Sequence, residues 1–261
     1  MTSGRPIGVL LLVLLLGVSA AAAEQPAAVP AGADAAHLEP AAVTSLTAAL
    51  ARIAAAANFA FSAEITSDAP LGSGEKIQFT GKLDVAVRRP DGLRVVFDGE
   101  PRTTRSWYDG RRFTHFDPGG NAYATCEAPP NLEGLFPLMR EQLGFTPPLS
   151  MLLHENVVQE ALAGVASGYT VGTALVGGVP TSHLAFRGET TDLQVWIAEE
   201  GAPVIKRMVV TLRDAPAAPQ FSVTFTSWDF DASFSAADFA FSAPPGAVEC
   251  DFLDPDSPAG R

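Results

Sequence analysis

The strongest constraint on the fold is a two-residue alternation over residues 76–88, where apolar side chains occupy nearly every second position. The apolar members of this series are Ile77, Phe79, Leu83, Val85 and Val87. Such a period is typical of a long β-strand with one dry face and one face in water. Residues 90–92 (Pro-Asp-Gly) predict a turn, and the alternation restarts at 93–97, so the two strands form a hairpin.

The same unit of strand and turn repeats along the chain. Further turns are indicated at Asp109-Gly110, 117–120, Gly177-Gly178 and Glu200-Gly201. Around these turns, strands are predicted at 59–65, 106–108, 112–116, 122–125, 169–176, 181–186, 193–197, 205–212 and 221–230. With the first hairpin, about ten or eleven strands form two antiparallel meanders.

A helix precedes the strands, because apolar residues recur at steps of three and four: Val43, Leu46, Leu50, Ile53 and Ala57. Two more helical segments, 132–143 and 148–155, separate the meanders. Hairpins with one apolar face must curl or pack on a second sheet. We therefore predict a mainly β (α+β) fold, a strongly curved, half-open antiparallel barrel whose concave face is covered by the N-terminal helix and short helices. A two-sheet sandwich is the alternative.

The N-terminal residues predict export to the periplasm. Arg5 precedes an apolar run at 7–18 and small residues up to Ala23, the pattern of a secretory signal peptide cleaved near Ala23. An uncleaved anchor is the alternative. We expect a flexible Ala/Pro-rich leader at 24–37, a single domain at 38–253 and a disordered tail at 254–261. No later apolar run predicts a transmembrane segment.

The net charge bears on binding to nucleic acid, and the two cysteines bear on disulfide formation. Removing residues 1–23 takes the formal net charge from −12 to −13, because Arg5 is lost with no acid. A negative surface repels phosphate backbones, which argues against nucleic acid as a partner. Cys126 and Cys250 would meet an oxidising compartment, where we expect a disulfide between them. Two unrelated buried thiols are the alternative.

Motifs of catalysis and metal binding are weak. The four histidines form neither H-x-x-x-H nor H-E-x-x-H, and the serine in 164–168 is one position away from that of a nucleophile elbow. We expect His115 to be solvated or singly hydrogen-bonded on its strand. We therefore predict no enzyme activity, no cofactor and no metal. A hydrolase would need His115 or His154 beside a carboxylate and a nucleophile.

Phenylalanine is abundant, with 16 residues against 3 tyrosines and 3 tryptophans, and it falls on the inward faces of the strands. A plain core is one explanation. A curved sheet of this length also encloses more volume than a few helices fill, which favours an apolar cavity suited to acyl chains. Candidate lining residues are Phe79, Leu83, Val85, Val95, Phe97, Trp107, Phe113, Val195 and Phe225. The residues expected to face water are Gln78, Lys82 and Arg94.

Three short motifs resemble those of the LolA/LolB-like family of periplasmic lipoprotein carriers. The first is R-R-P-D-G-L-R at 88–94, and the second is W-Y-D-G at 107–110, followed by Phe113 and Phe116. The third, F-A-F at 239–241 leading to P-P-G-A at 244–247, resembles the closing strand of these carriers. Over residues 42–253 the chain is more closely similar to DUF2092, a family of predicted periplasmic proteins.

The resemblance implies a half-open barrel with a helical lid and an interior that takes lipid acyl chains. In the carriers an arginine beside the proline of the first motif helps to hold the lid, and by position this is Arg89, with Arg88 as the alternative. We expect residues 132–153 to form the lid, with hinges at Gly144 and at residues 147–148 (Pro-Pro). Its inward side chains would be Leu135, Phe136, Met139 and Leu143.

Two function hypotheses follow. The first is a monomeric periplasmic carrier for lipid or lipoprotein acyl chains, which the inward apolar faces and the carrier-like turns favour. The second is a ligand-free envelope interaction or assembly module with a filled core. A continuous apolar cavity favours the first hypothesis, and a solid interior favours the second.

Overall fold

In the computed structural model, which describes residues 37–144, 147 and 149–252, helix α1 (Pro40–Ala55) is followed by six strands. They are β1 (Asn58–Pro70), β2 (Lys76–Arg88), β3 (Gly92–Gly99), β4 (Thr103–Tyr108), β5 (Arg112–Asp117) and β6 (Ala122–Glu127). Helix α2 (Leu132–Gln142), a 3-10 turn (Ser150–Leu153) and α3 (Val157–Leu162) come next. The remaining elements are β7 (Val165–Val176), β8 (Val179–Gly188), β9 (Thr191–Ala198), β10 (Ile205–Leu212), β11 (Gln220–Asp229), a second 3-10 turn (Ala236–Phe239) and β12 (Val248–Glu249).

The described strands form one twelve-stranded sheet in the order β12-β6-β5-β4-β3-β2-β1-β11-β10-β9-β8-β7. Neighbouring strands are antiparallel except β12 and β6, which run parallel. The two meanders, β1–β6 and β7–β11, join where β1 pairs with β11. Within the described residues β7 and β12 are the two edges, so the predicted curved, half-open sheet is confirmed and the sandwich is wrong. Bulges in β7, β10 and β11 help the sheet to bend.

The alternation of β2 and β3 decides which side chains are buried. Leu83 and Val85 are 1% and 5% exposed, and they lie directly opposite Phe97 and Val95 of β3. Residues directly opposite in an antiparallel pair share a face, so all four point to the concave side. The three polar residues expected to face water are exposed: Gln78, Lys82 and Arg94.

Two predicted helices are present with nearly the expected bounds. In α1 the three central residues of the predicted stripe, Leu46, Leu50 and Ile53, are at most 2% exposed, whereas Val43 is half-buried and Ala57 is exposed. This helix ends at Ala55, so the last residue of the predicted stripe lies beyond it. Asn131 precedes helix α2 and caps it, because its side-chain oxygen accepts a hydrogen bond from the Gly134 amide at 2.8 Å.

The segment between α2 and β7 differs from the prediction. Instead of one helix over 148–155, the described residues there hold a 3-10 turn and then α3, which was not predicted. Helix α3 has six residues, fewer than two turns, and Val157 is its buried residue. So short a helix has no readable 3.6-residue period, which explains why the sequence did not reveal it.

The closing strand expected at 239–241 is wrong. Phe239 instead ends the second 3-10 turn, where Ser235 and Asp238 form a capping box with each other's backbone and side-chain groups. The strand at this end of the chain is β12, two residues that pair with β6 far away in sequence. A strand of two residues whose partner is far away in sequence shows no local periodicity, so the sequence did not reveal β12.

The predicted disulfide is also wrong, because Cys126 and Cys250 are free thiols. β12 pairs Glu249 with Tyr123, so Cys250 comes level with Ala124, two residues from Cys126 along β6. That offset is about 7 Å along the strands in addition to about 4.8 Å between them, which exceeds the Cα separation of about 6.8 Å that a disulfide spans. Burial raises the pKa of both thiols.

Some sequence predictions fall on other parts of the chain. The signal peptide (1–23), residues 24–36 of the leader and the tail (254–261) lie outside the described residues. His37, the last residue of the predicted leader, already contacts the sheet, and its carbonyl accepts a hydrogen bond from the Gly168 amide at 3.0 Å. Among the described residues, no helix combines the length and the apolar character needed to cross a membrane.

Candidate functional site

A cavity of about 250 Å³ lies between the concave face of β1–β5 and the segment that follows β6. Its apolar wall consists of Ile65, Phe79, Leu83, Leu93, Val95, Phe97, Pro101, Phe113, Met139, Pro147 and Phe221. Its polar groups are those of Ser67, Thr80, Arg102, Thr104, Ser106 and His115. Met139 and Pro147 belong to the predicted lid, so the lid segment covers one side of the cavity.

The position of Phe97 keeps part of this space open. Its ring lies over Gly81 of β2 and Gly99 of β3, and a Cβ atom on either glycine would clash with the ring. Because glycine has no Cβ, the ring of Phe97 rests against the sheet instead of projecting into the cavity. The two glycines therefore determine part of the cavity volume.

Five of the nine predicted lining residues lie in the cavity wall: Phe79, Leu83, Val95, Phe97 and Phe113. Three others, Val85, Val195 and Phe225, are 5%, 0% and 1% exposed and belong to the filled core instead. All three are buried as the alternation predicts, but neighbouring side chains fill the space above them. Their assignment to the cavity is therefore wrong.

The assignment of Trp107 to the cavity is also wrong. Its neighbours Ser106 and Tyr108 are buried, and adjacent side chains of a strand point to opposite faces. On the outer face Trp107 contacts Phe241, with 5.1 Å between the ring centroids. Phe241 also contacts Tyr123 at 4.9 Å, so the C-terminal segment covers these outward rings.

His115 lines the cavity, where sequence reasoning expected a solvated or singly hydrogen-bonded residue. Its Nδ1 atom and the Oγ atom of Ser106 share a hydrogen bond of 2.9 Å. Burial lowers the pKa of His115 to about 4, Arg102 lowers it further, and Asp117 opposes the shift. The imidazole is therefore neutral at neutral pH. The alternation contained this signal, because His115 lies two positions from Phe113 and shares its face.

Ser106, His115 and His154 give little support to the hydrolase hypothesis. Ser106 and His115 are within hydrogen-bond reach, but a pKa of about 4 makes this imidazole a weak general base at neutral pH. The Nδ1 atom of His154 lies 3.1 Å from a carboxylate oxygen of Glu133, and its ring contacts that of Phe136 with 4.9 Å between the centroids. His154 thus connects α2 to the following turn. Among the described residues no group of histidine, cysteine and acidic side chains has the makeup of a metal site.

Arg89 links the turn between β2 and β3 to the lid segment. Its Nη1 atom donates a hydrogen bond to the carbonyl of Leu153 at 2.5 Å. Its guanidinium carbon lies 5.7 Å from the centre of the Phe59 ring. Burial lowers the pKa of Arg89, and the nearby Glu133 and Glu155 oppose this shift. Arg89 thus contacts the segment that the resemblance assigns to the lid.

Arg88, the alternative to Arg89, has other partners. It forms a salt bridge of 3.0 Å with Asp91 and lies 4.8 Å from the centre of the Phe239 ring. The predicted lid residues pack inward, with Leu135, Phe136 and Met139 at 0%, 4% and 1% exposure. Leu143 is half-buried against the core. Of these four, Met139 reaches the cavity wall.

A second depression, of about 470 Å³, is a poorer candidate. It is lined by Glu64, Ile65, Thr66, Thr80, Gly81, Lys82, Asp98 and Glu100. Three of these eight residues are acidic, and one is a large apolar residue. Such a lining suits neither an acyl chain nor another apolar ligand.

Comparisons with solved structures give low similarity. The crystal structure of lipoprotein LppX from Mycobacterium tuberculosis is 18% identical, covering 76% of this chain and 100% of that chain, with a TM-score of 0.48. An uncharacterised conserved protein from Thermus thermophilus is 9% identical over 79% and 99% of the two chains, with a TM-score of 0.45. A LolA superfamily protein from Nitrosomonas europaea is 10% identical over 77% and 97%, with a TM-score of 0.36. Because these TM-scores are below 0.5, they support no conclusion about this chain.

Comparison of the sequence itself is more informative. Among curated proteins none matches this chain. The model of the family DUF2092, described as "Predicted periplasmic protein", matches residues 42–253. The match includes β1–β12 and every residue of the cavity wall. The chain therefore belongs to DUF2092, a family of predicted periplasmic proteins.

Proposed function

We propose that this protein is a non-enzymatic periplasmic carrier that binds the acyl chains of lipids or lipoproteins in its cavity. The observation behind the proposal is the cavity of about 250 Å³, whose wall is mostly apolar and includes the lid residue Met139. Ligand sites in proteins are typically apolar clefts with a few placed polar groups. Each methylene group buried there would contribute about 0.8 kcal/mol to binding.

The lid segment supplies a route of entry in this proposal. Gly144 adopts a φ of 70°, a left-handed conformation that favours glycine, and Pro147 follows it. These residues separate α2 from the 3-10 turn and serve as the hinge. Arg89 holds the far end of the segment through Leu153. The adaptable side chain of Met139 would contact ligands of different shape.

Binding experiments on a matched pair of variants test the proposal. Val95 lines the cavity, while Val96 points to the opposite face of the same strand. Val95→Phe should fill the cavity and weaken binding of a fluorescent fatty acid by tenfold or more, whereas Val96→Phe should leave binding unchanged. Equal affinities of the two variants would contradict a ligand site in this cavity.

Native mass spectrometry of protein purified from the periplasm tests the proposal independently. We expect a lipid-sized mass increment on part of the protein and a chain that starts after Ala23. A protein that is empty and ignores fluorescent fatty acids at micromolar concentration would favour the second hypothesis, an interaction module without a ligand. That hypothesis has its own support in the filled core beneath α1.

A further inference from the structure

The size of the cavity limits the ligand, given the carrier role proposed above. An engineered protein cavity of about 150 Å³ accepts benzene, a ligand of six carbon atoms. By proportion, the cavity of about 250 Å³ holds about ten carbon atoms. This space suits one acyl chain of medium length, and it is too small for two or three chains side by side.

The cavity also has a charged group at one place in its wall. Arg102 lies in the loop between β3 and β4, is exposed to solvent and contributes to the cavity wall. The Gly99 amide donates to the Arg102 carbonyl at 3.0 Å, which fixes the loop. The nearby Glu100 accepts hydrogen bonds from the amide and hydroxyl of Thr80 at 3.3 and 3.1 Å. Within the described part of the chain, Arg102 forms no salt bridge, so its guanidinium is available to an anion.

Farther inside, the polar groups of the wall carry no charge. Thr104 and Ser106 lie two residues apart on β4 and so share a face, and with Arg102 of the preceding loop they line the cavity. Ser106 pairs with His115 of β5, and burial keeps that imidazole neutral by holding its pKa at about 4. The wall thus changes from cationic at Arg102 to neutral at His115. An anionic head group is stabilised beside Arg102, and an apolar chain is tolerated beside the uncharged His115.

We infer that the ligand is a single-chain carboxylate amphiphile of about ten carbons, whose head group binds Arg102 while its chain occupies the apolar cavity. The guanidinium offers the donors for a bidentate interaction with a carboxylate. The assignment rests on the carrier role proposed above and narrows its ligand from lipids and lipoproteins in general to amphiphiles with one chain, with Arg102 as the residue that recognises the head group.

Isothermal titration calorimetry with decanoate and 1-decanol tests the head group. The wild-type protein should bind decanoate at least tenfold more tightly than decanol, and Arg102→Gln should abolish that preference. Arg94→Gln is the matched control, because it removes an equal charge from the outer face of β3 and should keep the preference. Equal binding of acid and alcohol by the wild type, or a preference that survives Arg102→Gln, would overturn the inference while leaving the carrier role intact. Binding of neither compound would overturn both.

A series of carboxylates from six to sixteen carbons tests the chain length. Affinity should rise about fourfold with each added methylene group up to about ten carbons, because each group is buried, and then level off. A rise that continues at the same rate to sixteen carbons would show that the cavity expands, which contradicts the size assignment. A matching series of Val95→Phe should level off at shorter chains.

Discussion

The two meanders of the sheet share one alternation pattern but differ in what lies above them. Over β8–β10 and most of β11 the concave face is filled, and six of its inward side chains are at most 3% exposed: Leu184, Phe186, Val195, Ile197, Ile205 and Met208. Phe221, at the start of β11, lines the cavity instead. Helix α1 contacts β7 and β9 and supplies the cover. Over β1–β5 part of the corresponding face borders the cavity, while Phe59, Phe61 and Val85 belong to the filled core. A cavity in this fold therefore depends on the cover and not on the strands alone.

The two covers differ in their sequence. Helix α1 is an uninterrupted helix of 16 residues, and the small side chains of Ala42 and Ala49 let it lie close to the sheet. The lid segment contains Pro137 within α2, Gly144 and Pro147. These residues interrupt helical hydrogen bonding, so the segment cannot form one long helix that fills the space beneath it.

The largest expected effect is a difference in stability between two phenylalanine substitutions. Phe186 is 3% exposed in the filled meander, whereas Phe79 is half-buried at the cavity wall. Phe186→Ala should lower the free energy of unfolding by about 3–5 kcal/mol, because it leaves a void in packed surroundings. Phe79→Ala should cost less than about 2 kcal/mol, because its ring already borders open space. Urea denaturation measures both, and equal losses would remove the distinction between the two meanders.

The second effect concerns the histidines of the two meanders. The folded-state pKa of His115 is lowered to about 4 by burial, against 6.5 in the unfolded chain. As the pH falls from about 6.5 to 4, the unfolded state takes up a proton that the folded state does not. The free energy of unfolding that neutral His115 contributes is therefore fully present above about pH 6.5 and is lost toward pH 4. The loss amounts to up to about 3 kcal/mol.

Denaturation of His115→Gln between pH 7 and 4 measures this effect. The variant should lose less stability than the wild type across that range. His183→Gln is the control from the filled meander: burial lowers the pKa of His183, but its ring lies on the outer face against Trp196 and near solvent. It should change the pH dependence much less. A wild-type profile retained in His115→Gln would show that His115 is not the residue responsible.

The smallest effect concerns the lid over the first meander. Arg89→Leu removes the bond to Leu153 and should speed release of a bound fatty acid about tenfold, which corresponds to about 1.4 kcal/mol. Arg88→Leu is the matched control, because Arg88 pairs with Asp91 and not with the lid. Stopped-flow displacement of a fluorescent ligand gives both rates. An unchanged release rate together with unchanged thermal stability in Arg89→Leu would contradict a role of Arg89 in holding the lid.

Local patterns in the sequence were sufficient for much of the fold. The alternation of β2 and β3 gave the facing of Leu83 and Val95, and the stripe of α1 gave the buried face of that helix. The motif at 88–94 identified Arg89, which does contact the lid segment. These features depend on neighbours within a few residues, so they can be predicted from the amino-acid sequence alone.

Other features depend on contacts between distant residues. Trp107 and Tyr108 are both aromatic and point to opposite faces of β4, so the alternation does not say which of them is outside. The packing of Phe241 on Trp107 decides that the face of Trp107 is the outer one. The register of β12 on β6 separates the two cysteines.

The sequence by itself determined the strand pattern, the inward face of most strands, the main helices and the family. Only the tertiary structure decided which inward side chains border a cavity and which lie in a solid core, as the contrast between Val95 and Val195 shows. Periodicity specifies the direction of a side chain from its own strand, because successive residues alternate between faces. The space in front of that side chain is set by elements far away in the chain, here α1 over β7–β9 and the interrupted lid over β1–β5.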